Sequence, residues 1–152
     1  MERGFAYLVA VMDWHTRAVL AWRLSNTPDT RFCLEALDEA VRVAGRAPEI
    51  FNTDQGCQFT SREWTAALED LGVRVSMDGK GRLRMDNVFI ERLWRSLKCE
   101  DIYLKAYPDL GALKAGIDAW MSDYNHLRIH QALGYDRPWN LDRPETELAS
   151  AA

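Results

Sequence analysis

The chain has 152 residues, of which 47% are hydrophobic and 11% aromatic, enough to form one domain with a closed apolar core. No apolar run approaches the roughly 20 residues that cross a bilayer, and the first four residues are unlike a secretory leader, so the sequence predicts a cytoplasmic protein. The net charge of −4, taken alone, argues against a nucleic-acid partner. Cys33, Cys57 and Cys99 are widely spaced and predict free thiols rather than a zinc site.

The first third of the chain predicts two paired strands and a helix. Residues 5–12 form an unbroken apolar run, residues 18–24 resume a strand pattern, and Asp13 begins the turn between them. Thr27 and Pro28 predict the N-cap and first residue of a helix that ends near Gly45. An antiparallel pair followed by a helix is therefore expected.

The middle of the chain alternates strands and helices, which favours an α/β fold with a mixed sheet. Residues 48–54 read as a strand that places Asp54 at its carboxyl end. Thr60 and Glu63 have the spacing of a capping box at the start of the next helix, and residues 73–77 predict another strand. Further on, Asp109 is placed to cap a long helix with an apolar stripe.

Basic residues are concentrated in one segment despite the acidic total. Residues 74–98 contain seven Lys or Arg against three Asp or Glu, so the segment carries +4 and the remainder −8. Within it, Lys80, Arg82 and Arg84 lie in a Gly-containing stretch with no apolar period, which predicts a basic loop. Contact with a nucleic-acid backbone and an ordinary solvated loop both fit this pattern.

The next helix is amphipathic. Ile90, Leu93, Trp94 and Leu97 form its predicted buried stripe, behind an N-cap at Asp86. At about 100° per residue, Asn87, Glu91, Arg95 and Lys98 share the polar side. That side suits a metal at Glu91 beside two phosphate contacts, although by periodicity alone a surface helix with a Glu91–Arg95 pair is the better explanation.

Several separated strings resemble the transposases of bacterial insertion sequences, specifically the second-frame products with a retroviral-integrase-like core. They are Y-L-V-A-V-M-D-W-H-T-R (7–17), F-N-T-D-Q-G-C-Q-F-T-S (51–61), S-M-D-G-K-G-R (76–82), D-N-V-F-I-E-R-L-W-R-S-L-K (86–98) and Y-N-H-L-R-I-H-Q-A-L-G-Y (124–135). Their order and spread cover nearly the whole chain. The resemblance implies a bacterial, nucleoid-associated protein that acts on DNA.

The resemblance also implies an RNase H-like fold, an integrase-like core over residues 1–145 and a frayed tail over 146–152. It assigns Asp54 and Glu91 to an Asp-Asp-Glu triad that binds two Mg²⁺ or Mn²⁺ ions, with Lys80, Arg82, Arg84, Arg95 and Lys98 contacting DNA. Here 36 residues separate the two acids, one more than the family's usual interval. The expected partners are the element's terminal repeats, target DNA and further copies of the chain.

The first acid of the triad is expected on a central strand whose place precedes Met1. Asp13 is better explained as a turn former than as its substitute, and His15, His126 and His130 as structural or surface residues, because hard cations favour oxygen ligands. Polynucleotidyl transfer is therefore expected by resemblance, with the first acid outside the chain. A DNA-binding regulatory fragment and an RNase H-type nuclease are the alternatives.

Overall fold

The computed structural model describes residues 5–48, 50–53, 59–77, 88–134, 136–140 and 148–151. Its strands are β1 (Tyr7–Asp13), β2 (Val19–Ser25), β3 (Ile50–Thr53), β4 (Arg74–Met77) and β5 (Leu148–Ala151). Its α-helices are α1 (Arg31–Ala44), α2 (Arg62–Asp70), α3 (Val88–Leu97) and α4 (Leu110–His126). A π-helical turn, Lys98–Ile102, extends α3. No helix in these ranges is long and apolar enough to span a membrane.

The five strands form one mixed sheet in the order β2-β1-β5-β3-β4. β1 pairs antiparallel with β2 and with β5, whereas β3 pairs parallel with β4 and β5. The predicted antiparallel pair and the mixed sheet are both confirmed. β5 is the central strand, so it joins the antiparallel half of the sheet to the parallel half.

β5 also differs from the sequence prediction. Residues 146–152 were expected to fray, yet Leu148–Ala151 form a strand that the flanking strands hydrogen-bond from both sides. This is the central position that the resemblance assigns to a strand preceding Met1. The physical reason is that pairing with β1 and β3 satisfies the backbone donors and acceptors of both strands, which offsets the weak strand propensity of an Ala-rich segment.

Helices cover both faces of the sheet. On one face, α1 and α2 pack against Val9, Val11 and Phe51, and on the other face α3 and α4 pack against Ala10 and Met12. Alternate residues of β1 thus point into opposite cores, as a strand covered on both faces requires. Burial of β1 on both faces therefore explains the unbroken apolar run in the sequence.

Two helix starts differ from their predictions. α1 begins at Arg31 rather than after Thr27, because the Ser25, Thr27 and Asp29 side chains bond to one another and to nearby backbone and so stabilise a local turn. α2 is capped by Ser61, whose Oγ accepts from the Trp64 N–H at 3.3 Å. The N-cap therefore lies one residue after the predicted Thr60, and the capping box expected at Thr60 and Glu63 does not form, because Trp64 at the third helical position cannot accept a hydrogen bond in return.

Other boundaries match their predictions. Gly45 ends α1 with φ 78°, a left-handed conformation that glycine adopts without steric cost. Asp109 caps α4, its Oδ1 accepting from the Ala112 N–H at 2.7 Å. Cys33 is buried and Cys99 is exposed, and Cys57 lies outside the described residues.

Candidate functional site

Helix α3 is amphipathic. One of its faces packs into the core that it forms with α4, and the opposite face is exposed and polar. Ile90, Leu93 and Leu97 are buried, which confirms that part of the predicted stripe. Trp94 is only half-buried, because its ring packs at the edge of the core while also lining a surface cavity. The opposite face carries the exposed side chains of Glu91, Arg95 and Lys98, as the sequence predicted, whereas Asn87 and the predicted N-cap Asp86 lie outside the described residues.

These side chains surround one open cavity of about 400 Å³. Its lining consists of Glu91, Trp94, Arg95, Lys98, Cys99 and Tyr103. Glu91 lies in the first turn of α3 and Lys98 begins the π-helical turn. A carboxylate thus shares a surface cavity with two cationic side chains, an arrangement that can receive a cation and a phosphate side by side.

The second predicted acid follows β3 directly. β3 ends at Thr53, between β5 and β4 in the sheet, and Asp54 is the next residue along the chain. Asp54 itself lies outside the described residues, as do the basic-loop residues Lys80, Arg82 and Arg84. Carboxyl ends of parallel strands are the usual place for ligand sites in α/β sheets, and Asp54 follows such an end.

Of the two predicted metal ligands, only Glu91 is among the described residues. Within them no group of three or more His, Cys, Asp or Glu is close enough to hold a metal ion. Asp13 is buried at the end of β1, and its Oδ1 accepts from the His15 N–H at 2.9 Å. Asp13 therefore serves the turn, as the sequence predicted. Glu91 remains the described carboxylate that the prediction places at the metal.

The segment after α4 is packed through aromatic side chains. Tyr124 is stacked on Trp120, with 5.6 Å between ring centroids, and contacts His130 edge-on at 5.2 Å. Burial raises the pKa of Tyr124 to about 12, against the lowering effect of Arg128 and Arg17. The phenol is therefore neutral at pH 7, and the ring serves as core rather than as an acid or base.

Asn125 ties the same helix to the sheet. Its Oδ1 accepts from the Val19 N–H, and its Nδ2 donates to the Val19 carbonyl, both at 2.9 Å. Asn125 and Val19 are buried. The Tyr124–Asn125 pair of the carboxyl-terminal string thus has a structural role that the sequence left undecided.

The sequence did not predict a second basic surface, on the other flank of α3. There Arg17, Arg92 and Arg128 line an open cleft of about 680 Å³ together with Phe89, Tyr124 and His130. We call it the arginine cleft. Its arginines come from the turn after β1, from α3 and from the segment after α4. All three lie within the quoted strings, at 7–17, 86–98 and 124–135, which was the available signal.

The sheet order, the helices on both faces and the position of Glu91 on α3 are the features that define the class of protein. Two family models, both described as integrase core domain, match residues 1–82 and residues 71–138. The chain belongs to the integrase core domain family.

Among individual proteins, the chain is similar to transposases of insertion sequences. It is 29% identical, over 155 aligned positions, to a putative transposase for insertion sequence element IS986/IS6110 of Mycobacterium tuberculosis (strain CDC 1551 / Oshkosh), covering 97% of this chain and 53% of that protein. It is 30% identical over 135 residues to transposase InsF for insertion sequence IS3A of Escherichia coli (strain K12), covering 88% and 46%. The predicted likeness to insertion-sequence transposases is confirmed, and the chain spans about half the length of the curated relatives it matches.

Solved structures share the fold. The HTLV-2 integrase catalytic core domain in complex with magnesium gives a TM-score of 0.64 at 21% identity, covering 86% of this chain and 80% of that chain. A simian T-cell lymphotropic virus intasome in complex with PP2A regulatory subunit B56 gamma gives 0.71 at 20% identity, covering 91% and 48%. The predicted RNase H-like, integrase-core fold is confirmed.

Proposed function

We propose that this chain is the catalytic core of a DNA transposase, which cuts DNA strands and joins them to new sites in a metal-dependent reaction. The observation that carries the proposal is the face of α3, where Glu91, Arg95 and Lys98 surround one open cavity on an integrase-core fold. The similarity to insertion-sequence transposases supports the reaction class.

Glu91 and Asp54 are the proposed metal ligands, and Arg95 and Lys98 the proposed contacts to backbone phosphates. The exposed Glu91 carboxylate fits a hard divalent cation, because Mg²⁺ and Mn²⁺ prefer oxygen ligands. Such a cation, when bound, supplies positive charge beside the attacking and leaving oxygens of a phosphodiester. The magnesium of the HTLV-2 core supports the choice of ion, and two ions per site is our proposal.

DNA is the proposed partner, both as the element's terminal repeats and as the target. Lys80, Arg82 and Arg84 are proposed to add backbone contacts from the basic loop. Joining two DNA ends requires more than one active site, so we propose that copies of the chain assemble on DNA.

The test pairs Glu91→Gln with Glu63→Gln. Both glutamates are exposed and lie in the first turn of a helix, so the two changes remove the same charge from matched positions. Nicking of supercoiled plasmid is measured with Mg²⁺, with Mn²⁺ and with EDTA, beside a gel-shift assay of DNA binding. We expect any metal-dependent nicking to be abolished by Glu91→Gln and retained by Glu63→Gln, with DNA binding unchanged in both. Nicking by the Glu91→Gln variant at the wild-type rate contradicts the metal role of Glu91.

The regulatory alternative rests on β5. The resemblance places the first acid on the central strand, and the residues of β5, Leu148–Ala151, carry no carboxylate. A chain that binds DNA and shows no nicking with either metal supports this alternative over catalysis. Cleavage of the RNA strand of a hybrid, with duplex DNA left intact, supports a nuclease of RNase H type instead.

A further inference from the structure

The arginine cleft concentrates positive charge without a compensating acid in its lining. The ten described residues that line it include Arg17, Arg92 and Arg128 and no Asp or Glu. Burial lowers the pKa of Arg17, and the nearby Arg92 lowers it further, against Tyr124 and Asp13. Arginine stays protonated in proteins, so holding Arg17 near Arg92 has an electrostatic cost that Asp13 offsets in part and that an anion in the cleft would offset further.

The backbone at Arg17 adopts an unusual conformation. Its φ is 64°, in the left-handed region, which is sterically unfavourable for a residue with a side chain. The Arg17 N–H donates to the Asp13 carbonyl at 2.7 Å and closes the turn. The guanidinium lies 3.4 Å from the centroid of the Phe89 ring. A strained backbone and a stacked ring therefore hold this cation at the mouth of the cleft, and strain of this kind is concentrated at functional sites.

The other side of the cleft is preorganised as well. Arg128 forms an ion pair with Glu100 and lies over the Trp120 ring. His130 Nε2 is buried and has no hydrogen-bond partner among the described residues. Burial lowers the pKa of His130, and Arg128 and Arg17 lower it further, so the imidazole is neutral at pH 7. A buried polar atom without a partner costs free energy that a ligand could recover.

We propose that the arginine cleft binds a phosphodiester of a DNA strand, with Arg17 and Arg92 on the phosphate and His130 at its edge. The phosphate chemistry follows from the guanidinium groups, which match phosphate oxygens in charge and geometry. The choice of DNA as the source of that phosphate rests on the proposed function. The cleft is open, and Arg92 is adjacent to Glu91 on α3, so a strand can pass from one flank of the helix to the other.

The test measures binding of a fluorescein-labelled oligothymidylate by anisotropy across a KCl series. The informative variant is Arg92→Gln, because Arg92 is exposed and its loss leaves the core packing intact. We expect its affinity to fall about tenfold, as for the loss of one charge-assisted hydrogen bond. The slope of log K against log salt should fall by about 0.7, the value for one phosphate contact on a single strand.

Matched variants define the controls. Arg42→Gln removes an exposed arginine from α1 on the opposite face of the sheet and should bind like the wild type. Arg92→Lys keeps the charge and should restore most of the salt slope. An Arg92→Gln chain that binds with wild-type affinity and slope overturns the proposal, as does a wild-type chain that does not bind the oligothymidylate.

A second measurement identifies the source of the phosphate. The pKa of His130, followed by NMR, should rise when the oligothymidylate binds, because the phosphate opposes the charges of Arg128 and Arg17. An equal rise with inorganic phosphate at the same phosphate concentration overturns the assignment to a strand.

The two proposals fail separately. Binding that depends on Arg92 in a chain that does not nick DNA leaves the cleft standing and refutes catalysis. Nicking that depends on Glu91, with binding indifferent to Arg92, refutes the cleft alone.

Discussion

Asn125→Leu removes the two hydrogen bonds that join α4 to β2 and leaves two backbone groups of Val19 without these partners. The Val19 N–H and carbonyl, which Asn125 now satisfies at 2.9 Å each, lose their partners in a buried position. Leucine has the same number of side-chain heavy atoms as asparagine, so the change removes the hydrogen-bonding groups without leaving a cavity.

The expected loss follows from these two groups. A buried donor or acceptor left without a partner costs about 1–3 kcal/mol, so the pair costs about 2–6 kcal/mol, reduced somewhat by the apolar surface that leucine buries. We expect a net loss of about 3 kcal/mol in the free energy of unfolding. For a chain of this length that corresponds to a decrease in Tm of about 6–12 °C.

Urea unfolding followed by circular dichroism measures this loss, with the m value checked for constancy between variants. Ser122→Ala, an exposed position on the same helix, is the control and should change stability by less than about 0.5 kcal/mol. Asn125→Asp keeps an acceptor for the Val19 N–H but loses the donor, and should also destabilise the chain at pH 7. A loss in the free energy of unfolding below about 1 kcal/mol for Asn125→Leu contradicts this expectation, because it means that the Val19 backbone groups find other hydrogen-bond partners.

Two further changes test the packing around α4. Tyr124 has its pKa raised to about 12 by burial, so the folded state binds the phenolic proton more tightly than the unfolded state. Its contribution is present below about pH 10 and is lost as the pH rises through about 12, a change of about 2–3 kcal/mol. Urea unfolding at rising pH should show this loss in the wild type and a smaller one in Tyr124→Phe. Gly116→Ala should destabilise the chain by about 1–3 kcal/mol although alanine is the better helix former, because the new Cβ would lie 1.9 Å from the Tyr107 Oη, which Asp101 holds at 2.6 Å. Thermal unfolding of both single variants and of Gly116→Ala with Tyr107→Ala measures the clash, and a more stable Gly116→Ala chain contradicts it.

Features set by local periodicity could be predicted from the sequence. The buried stripe of α3 and the polar face with Glu91, Arg95 and Lys98 both follow from about 100° per residue. The cap at Asp109 needs only a carboxylate and the N–H three residues ahead of it. These features depend on neighbours along the chain, so tertiary packing had little opportunity to override them.

Features set by competition or by distant residues could not be predicted in this way. At the start of α1, Ser25, Thr27 and Asp29 bond to one another rather than to the helix, and the sequence pattern does not say which arrangement is more stable. β5 forms because a central sheet position needs a partner, which composition does not reveal. The arginine cleft joins residues 17, 92 and 128, whose proximity exists only in the folded chain.

The charges on helix α3 explain how a chain with a negative net charge can suit the proposed nucleic-acid partner. Glu91 and Arg92 are consecutive, so their side chains leave the helix about 100° apart and serve adjacent flanks. A helix with its side chains is about 10–12 Å across. A phosphodiester held at Arg92 therefore lies within about one helix diameter of the Glu91 carboxylate. The net charge of −4 does not describe the local charge on either flank of α3. At physiological salt, screening weakens the interaction of a phosphate with charges more than about 8 Å away. In the proposed role, the charges that a DNA strand meets at α3 are the local arginines and lysines, with Glu91 among them and Glu100 paired to Arg128, rather than the net charge of the chain.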